Sequence, residues 1–200
     1  YMAPLSVVLA FKRLKTNTRK SQAARLENVD YLTGLPNRIH FHNALVQAIA
    51  RNHAQKHLAV IVVDLTHFQN INESLGTEVG DRLLQEAAQR LSLKVRQEDV
   101  VARLSGDAFC VLAPHLEAYS GATTLADKLI HLFSAPFLVQ GHEVFLSVNV
   151  GIATYPNCSD DPDALVKYAD LAAYRASLLG ANNYQYYTAE MNKEIFQRMK

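Results

Sequence analysis

Leu58–Leu65 (LAVIVVDL) decides the fold, because it is a continuous apolar run that contains one carboxylate. Such a run is typical of a strand that is buried on both faces of a sheet. A carboxylate in a buried strand is costly unless it is paired or binds a metal ion. We therefore predict a buried strand with helices on both faces, and we take Asp64 near its end as a candidate ligand.

Two shorter strands, Val100–Leu104 and Phe109–Leu112, flank a small-residue turn and predict a hairpin. Asp107 lies in that turn, and a strand pair ending near Asp64 would bring the two carboxylates together. Two carboxylates and a backbone carbonyl can hold Mg²⁺, which in turn carries substrate phosphates. Ser105 and Gly106 would let a nucleotide approach the backbone closely. The alternative interpretation of Asp107 is an ordinary turn aspartate.

The rest of the chain alternates between predicted helices and strands. A helix from about residue 37 would bury Ile39, Leu45, Val46, Ile49 and Ala50 on one face. Strands are predicted at 137–140, 144–154 and 184–187, and helices at 14–29, 81–96, 119–135, 162–179 and 189–199. Gly180 is the expected end of the 162–179 helix. Because neighbouring strands are often joined by hairpins, we predict an α+β sandwich with a largely antiparallel sheet.

Composition places the chain among ordinary globular domains. It has 200 residues, of which 49% are hydrophobic and 20% charged, so collagen-like and disordered classes are excluded. Two cysteines cannot form a disulfide framework, and no spacing of His and Cys indicates a structural zinc site. The net charge of +1 divides into +5 over residues 1–28 and −4 over the remainder. No basic stripe with interleaved aromatics follows, so nucleic acid is not an expected partner.

The first residues suggest a membrane context. Met2–Phe11 is an uncharged apolar run followed at once by a basic cluster, as at the cytoplasmic exit of a membrane helix. Ten residues are too few to span a bilayer, which needs about 20. The apolar face of a soluble helix is the alternative interpretation, and both remain open. We assign residues 1–28 to an N-terminal signalling or juxtamembrane helix.

Short motifs occur in a fixed order over about residues 25–188. They are DYLTGLPNR (30–38), DLTHFQNINE (64–73), GTEVGD (76–81), RLSGDAF (103–109), VNVGIA (148–153), ADLAAY (169–174) and GAN (180–182). In this order they resemble the GGDEF domain family, the diguanylate cyclases of bacterial cyclic di-GMP signalling. The resemblance implies a five-stranded, nucleotidyl-cyclase or palm-like fold with a ferredoxin-like core.

The resemblance also implies a reaction and a set of site residues. In this family two domains face each other, each with GTP and Mg²⁺, and each 3′-hydroxyl attacks the α-phosphate of the other GTP. Carried over by motif, the roles are as follows: Asp64, the Leu65 carbonyl and Asp107 for Mg²⁺; Asn72 and Asp81 for guanine; Phe68, Ser105 and Gly106 for further substrate contacts.

Several signature positions depart from the family pattern. The final acid of the signature is Ala108, and the first signature glycine is Ser105. Three cations expected around a triphosphate are replaced by Gln69, Ser177 and Ala181. We therefore predict a degenerate, non-catalytic regulatory or nucleotide-sensing domain with weak GTP and Mg²⁺ binding. An active cyclase and a purely structural dimerisation module are the alternatives.

Two further features concern regulation and context. Arg96 and Asp99 form an RxxD pattern at the family's inhibitory site for cyclic di-GMP, although Arg at a helix end and Asp at a strand start are also common without function. Residues 189–200 resemble the linker helix that leads into an EAL phosphodiesterase domain, which leaves 29–188 as the GGDEF domain. The expected partners are a guanine nucleotide, a second copy of the domain and an EAL domain of the same parent chain. The expected location is cytoplasmic, in an inner-membrane protein if the apolar start belongs to a membrane helix.

Overall fold

The computed structural model describes residues 27–52 and 56–191. Its helices are α1 (Arg38–Ala50), α2 (Phe68–Leu75), α3 (Thr77–Ser92), α4 (Ser120–Leu132) and α5 (Pro162–Leu179). Its strands are β1 (His57–Thr66), β2 (Val100–Ser105), β3 (Ala108–Leu116), β4 (Phe137–Val139), β5 (His142–Val144), β6 (Ser147–Tyr155) and β7 (Asn183–Tyr186). The membrane-proximal helix expected at 1–28 and most of the expected 189–200 linker lie outside the described residues.

Five strands form one sheet in the order β2-β3-β1-β6-β7. The first three neighbour pairs are antiparallel, and only β6 and β7 run parallel. The predicted five-stranded, largely antiparallel sheet flanked by helices is therefore confirmed. β1 lies in the middle of this sheet, so both of its edges are hydrogen-bonded. Its unbroken apolar sequence agrees with a strand that is also covered on both faces.

The two faces of β1 pack into two separate cores. Ile61 and Val63 belong to the larger core, which they share with α3 and α4. Val60 and Val62 belong to the second core, which they share with α1 and α5. Alternate residues of a strand point to opposite faces, so Asp64 points to the same side as Val60 and Val62, towards α1 and α5.

Helix α5 packs directly on the backbone of β6. A Cβ added at Gly151 would lie 1.9 Å from the Ala169 carbonyl oxygen, so only glycine permits this approach. The helix ends at Gly180, as predicted, where a φ of +132° suits a residue without a side chain. The start of α5 is capped by Asp161, whose carboxylate accepts a hydrogen bond from the Asp163 backbone N–H.

The structure corrects several expected boundaries. In α1, Phe41 and Leu45 face the core, whereas Ile39, Val46 and Ala50 are exposed, so the predicted apolar face is wrong for those three residues. The spacing of apolar residues was compatible with either face, and packing against β2 and α5 selects one. The predicted 81–96 helix begins earlier, at Thr77, and ends at Ser92.

Two other differences concern elements near the candidate site. The short helix α2 was not predicted, because its eight residues are fewer than the window of about 11 or more over which helical periodicity is read, although Phe68, Ile71 and Leu75 have that spacing. The strand expected at 144–154 is divided: β5 pairs with β4 in a separate two-stranded sheet, and β6 joins the main sheet. Within residues 27–52 and 56–191, no helix has the length and apolarity needed to span a bilayer.

Candidate functional site

Asp64 and Asp107 come together at one end of the central strands. Asp64 is paired in register with Ala108 on β3 and with Asn149 on β6. The Leu65 backbone N–H donates to the Asp107 carbonyl oxygen at 3.4 Å, which ties the signature turn to the end of β1. The turn is tighter than the predicted four residues, since only Gly106, with a φ of +48°, and Asp107 separate β2 from β3.

The charge around Asp64 is concentrated and negative. Burial, together with the neighbouring carboxylates of Asp107 and Asp170, raises the pKa of Asp64 to about 6. Burial also raises the pKa of Asp170, although Arg38 opposes that effect. A divalent cation would relieve this repulsion, and oxygen donors are the ligands that Mg²⁺ prefers. The electrostatics therefore fit a cation, with Asp64 and Asp107 as the residues that would hold it.

The protein supplies only part of a coordination shell. In the part of the chain that the structure describes, no three His, Cys, Asp or Glu side chains converge as metal ligands. Mg²⁺ commonly uses one or two carboxylates and completes its shell with water and substrate phosphates. The arrangement is thus compatible with a Mg²⁺–nucleotide complex rather than with a dedicated protein cage.

Arg103 holds the signature turn in place from the side. Its Nε and Nη2 donate to the Gly106 carbonyl oxygen at 2.9 and 2.7 Å, and its Nη1 lies 3.1 Å from Asp30 Oδ2. Asp30 also accepts hydrogen bonds from the Thr33 backbone N–H and hydroxyl. The DYLTGLPNR segment is therefore a buttress for the turn that carries Asp107, a role that sequence reasoning did not assign to Arg103.

The candidate guanine-reading residues lie on α2 and at the start of α3. A Cβ added at Gly80 would lie 1.8 Å from Asn72 Oδ1 and 3.2 Å from Phe68 Cζ, so both side chains pack against this glycine. Asp81 follows Gly80 and is exposed. The left-handed backbone of His67, with a φ of +61°, turns the chain from β1, which carries Asp64, into α2.

The positions that depart from the family pattern have no positively charged side chain. Gln69 Nε2 donates to Glu73 Oε1 at 2.9 Å. Ser177 Oγ donates to the Tyr174 carbonyl oxygen at 2.7 Å, and Ala181 is exposed. Ala108 is the register partner of Asp64, so a carboxylate at this position would have joined Asp64 on the same face of the sheet.

A buried amide network under the site was not foreseen from the sequence. Asn149, with 1% of its surface exposed, bonds Thr66 Oγ1 at 3.1 Å in either orientation of its amide. Asn183 Nδ2 donates to the carbonyl oxygens of Ala176 and Gly180 at 3.0 and 2.6 Å. The network ties the end of α5 to the sheet beside Asp64. A lone asparagine in the apolar β6 sequence was the available signal, because buried amides need partners.

Arg96 and Asp99 lie in the loop between α3 and β2, not at the end of a helix as expected. The Arg96 backbone N–H donates to Asp99 Oδ2 at 2.9 Å, and the Arg96 side chain is 68% exposed. Burial raises the pKa of Asp99, which Lys128 on α4 opposes. Five residues of β2 separate this loop from Ser105, roughly 17 Å, so the pair is remote from Asp64.

Comparisons with known proteins agree with this geometry. The profile of the diguanylate cyclase GGDEF domain family matches residues 27–183. The signaling protein YkoW of Bacillus subtilis is 40% identical over 184 residues, which cover 87% of this chain and 23% of YkoW. The bifunctional diguanylate cyclase/cyclic di-GMP phosphodiesterase MucR of Pseudomonas aeruginosa is 36% identical over 194 residues, which cover 96% of this chain and 28% of MucR.

A solved structure shows the same architecture. The isolated GGDEF domain of TpbB (YfiN) from Pseudomonas aeruginosa superposes with a TM-score of 0.81 at 36% identity, over 84% of this chain and 98% of that domain. The sequence relatives named above are much longer, since the chain spans only about a quarter of their length. The family profile, the relatives and the fold agree, and the chain belongs to the GGDEF domain family of cyclic di-GMP signalling.

Proposed function

We propose that this domain is a non-catalytic, nucleotide-sensing member of its family. The observation that carries the proposal is Ala108, which stands beside Asp64 on the face where the family's final acid would stand. A methyl group can neither coordinate a metal ion nor accept a proton from an attacking hydroxyl. Ser105 adds a side chain where the family pattern has glycine, which crowds the approach of a nucleotide to the turn.

The ligand of this site would be a guanine nucleotide with Mg²⁺. Asp64 and Asp107 supply carboxylates for the cation, and Asn72 and Asp81 suit the guanine edge. The three missing cations each correspond to a charge-assisted hydrogen bond worth about 1.5–3 kcal/mol. Binding should therefore be weak, with a dissociation constant of roughly 10 μM or higher.

A second binding role is proposed for Arg96 and Asp99. The exposed Arg96 side chain offers a guanidinium fork, and a cavity of about 140 Å³ beside it is lined by Lys94, Asp99 and Lys128. One fork cannot hold both halves of the two-fold symmetric cyclic di-GMP, so a second domain would supply the other. We therefore expect cyclic di-GMP binding to be coupled to dimer formation.

We also propose that this domain is part of a longer protein. MucR, which combines a cyclase and a phosphodiesterase, matches this chain over about a quarter of its own length. A GGDEF domain that regulates an EAL phosphodiesterase of the same parent chain fits that pattern. In this proposal the domain works in the cytoplasm, and its signal passes through residues 189–200.

Product analysis with GTP and Mg²⁺ tests the proposed function. No cyclic di-GMP should form, with the protein alone or with Ala108→Glu, because Ser105, Gln69, Ser177 and Ala181 remain. Clear product from the unmodified protein would establish the active-cyclase alternative. Nucleotide titration then distinguishes a sensing domain from a purely structural dimerisation module, which would bind neither GTP nor cyclic di-GMP.

A further inference from the structure

A second cavity, of about 420 Å³, lies between α1, α5 and the signature turn. Its lining includes Ser105, Ala108 and Asp170 but neither Asp64 nor Asp107, so it adjoins the metal-binding position without containing either proposed metal ligand. Ala108 points to the same face of the sheet as Asp64, towards α1 and α5. A longer acidic side chain at position 108 would project towards this cavity, and alanine leaves that wall short and uncharged.

Two cations face this cavity from different helices. Arg38 is at the start of α1 and Lys167 is on α5, and both line the cavity. Among the described residues, neither forms an ion pair within 4 Å. Each therefore retains hydrogen-bond donors for an anion, although Arg38 also interacts electrostatically with Asp170.

The other charged groups of the cavity are partly compensated. Asp163 lies 3.4 Å from His42 Nε2, is 83% exposed at the rim, and lies in the first turn of α5, where the helix dipole stabilises a negative charge. Asp170 interacts with Arg38 and lies towards Asp64. The anion-binding position is thus expected between Arg38 and Lys167.

The apolar part of the lining indicates the size and class of the ligand. Phe41, Leu104 and Val166 supply an apolar wall, and a volume of about 420 Å³ is within the range of small-molecule sites. We propose that this cavity binds a phosphomonoester of about the size of a nucleoside monophosphate, with its phosphate between Arg38 and Lys167. Such a ligand would touch both ends of the signature turn and restrain the loop that carries Asp107.

Calorimetric titration with AMP and with inorganic phosphate, in EDTA, tests this proposal. EDTA removes the cation of the Asp64 site, and adenine does not suit the guanine-reading pair Asn72 and Asp81, so the outcome is independent of the proposed nucleotide site. Both probes should saturate, AMP more tightly than phosphate. Absence of saturation by AMP, with or without phosphate binding, would overturn the proposal.

Three variants locate the bound probe. Lys167→Ala should weaken AMP binding by about 5-fold or more. Ala108→Glu should weaken AMP binding by a similar factor, because the glutamate places a negative charge at the cavity wall. The matched control Lys56→Ala, at an exposed lysine just before β1, should leave binding unchanged. Unchanged binding in Lys167→Ala, or loss of binding in Asp64→Asn, would place the probe elsewhere and refute the assignment.

Discussion

Arg103 Nη1 lies 3.1 Å from Asp30 Oδ2, and the same guanidinium group donates twice to the Gly106 carbonyl oxygen. The two side chains are 73 residues apart in sequence and only 12% and 23% exposed. One ion pair therefore connects the turn that begins at Asp30 to the signature turn that carries Asp107. The position of a candidate metal ligand depends on a contact outside the site itself.

Breaking this pair should destabilise the domain and loosen the signature turn. Arg103→Gln should lower the free energy of unfolding by about 2–4 kcal/mol, since it leaves a partly buried carboxylate without its partner. Urea denaturation measures the loss, and Asp30→Asn with the double variant completes a cycle that should show strong coupling. Arg82→Gln, at an exposed arginine of α3, is the control and should change stability by less than about 0.5 kcal/mol. Equal effects of the two arginine variants would contradict the buttress role.

The Asp30 pair also predicts a pH dependence. Burial raises the pKa of Asp30, but hydrogen bonds from Thr33 and Arg103 outweigh burial and hold the pKa below its usual value. A lowered pKa in the folded state contributes stability above the unfolded pKa, and this stability is lost as the pH falls through the folded pKa. The Arg103→Gln variant should therefore lose stability less steeply than the unmodified protein as the pH falls below about 4. Urea denaturation at a series of pH values measures this difference.

The raised pKa of Asp64 predicts a pH dependence of stability with the opposite sign. Its pKa of about 6 lies above the usual value of 3.8, so without metal its charge opposes folding above about pH 6 and this penalty disappears at low pH. In EDTA, Asp64→Asn should stabilise the domain at pH 8 by about 1–2 kcal/mol, after a discount for partial exposure, and should have little effect at pH 4. Asp160→Asn, at an exposed carboxylate, is the control. A destabilised Asp64→Asn variant at pH 8 would show that Asp64 supports the fold rather than a cation site.

Restoring the cations of the triphosphate site should restore affinity without restoring catalysis. The double variant Ser177→Lys and Ala181→Arg should increase the affinity for GTP by about 10- to 100-fold and the affinity for GMP hardly at all, because only GTP reaches both positions. Calorimetry with Mg²⁺ measures both ligands, and Ser134→Lys, at an exposed serine remote in sequence, controls for added net charge. Equal tightening of GTP and GMP would mean that the nucleotide does not lie in the expected orientation.

Cyclic di-GMP should shift the domain from monomer towards dimer. Arg96→Ala should abolish the shift and leave GTP binding nearly unchanged, since the length of β2, roughly 17 Å, separates the loop that carries Arg96 from the signature turn. Light scattering combined with calorimetry reports mass and heat together, and Arg82→Ala serves as the arginine control. If the unmodified protein gives neither heat nor a mass change, the RxxD pattern here has no ligand.

Much of the architecture could be predicted from local sequence. The apolar run through β1 has the signature of a strand with both faces covered, because no alternation is needed where both faces are buried. Gly180 ended α5 as expected, since a left-handed residue at a helix end favours glycine. The family motifs supplied the identity of the domain and the candidate site positions, because each motif combines residue types in a fixed order over a short span.

Tertiary structure alone decided the environment of those positions. The exposed face of α1, the pairing of Arg103 with Asp30 and the approach of Asp170 to Asp64 depend on which elements pack together, and periodicity does not encode partners that are distant in sequence. The raised pKa of Asp64 has the same origin, because burial and neighbouring charge are properties of the folded site. The sequence by itself determined the central strand β1, the family and the alanine at position 108. The folded structure decided which charges surround Ala108, because electrostatic interactions depend on distance in space and not on separation along the chain.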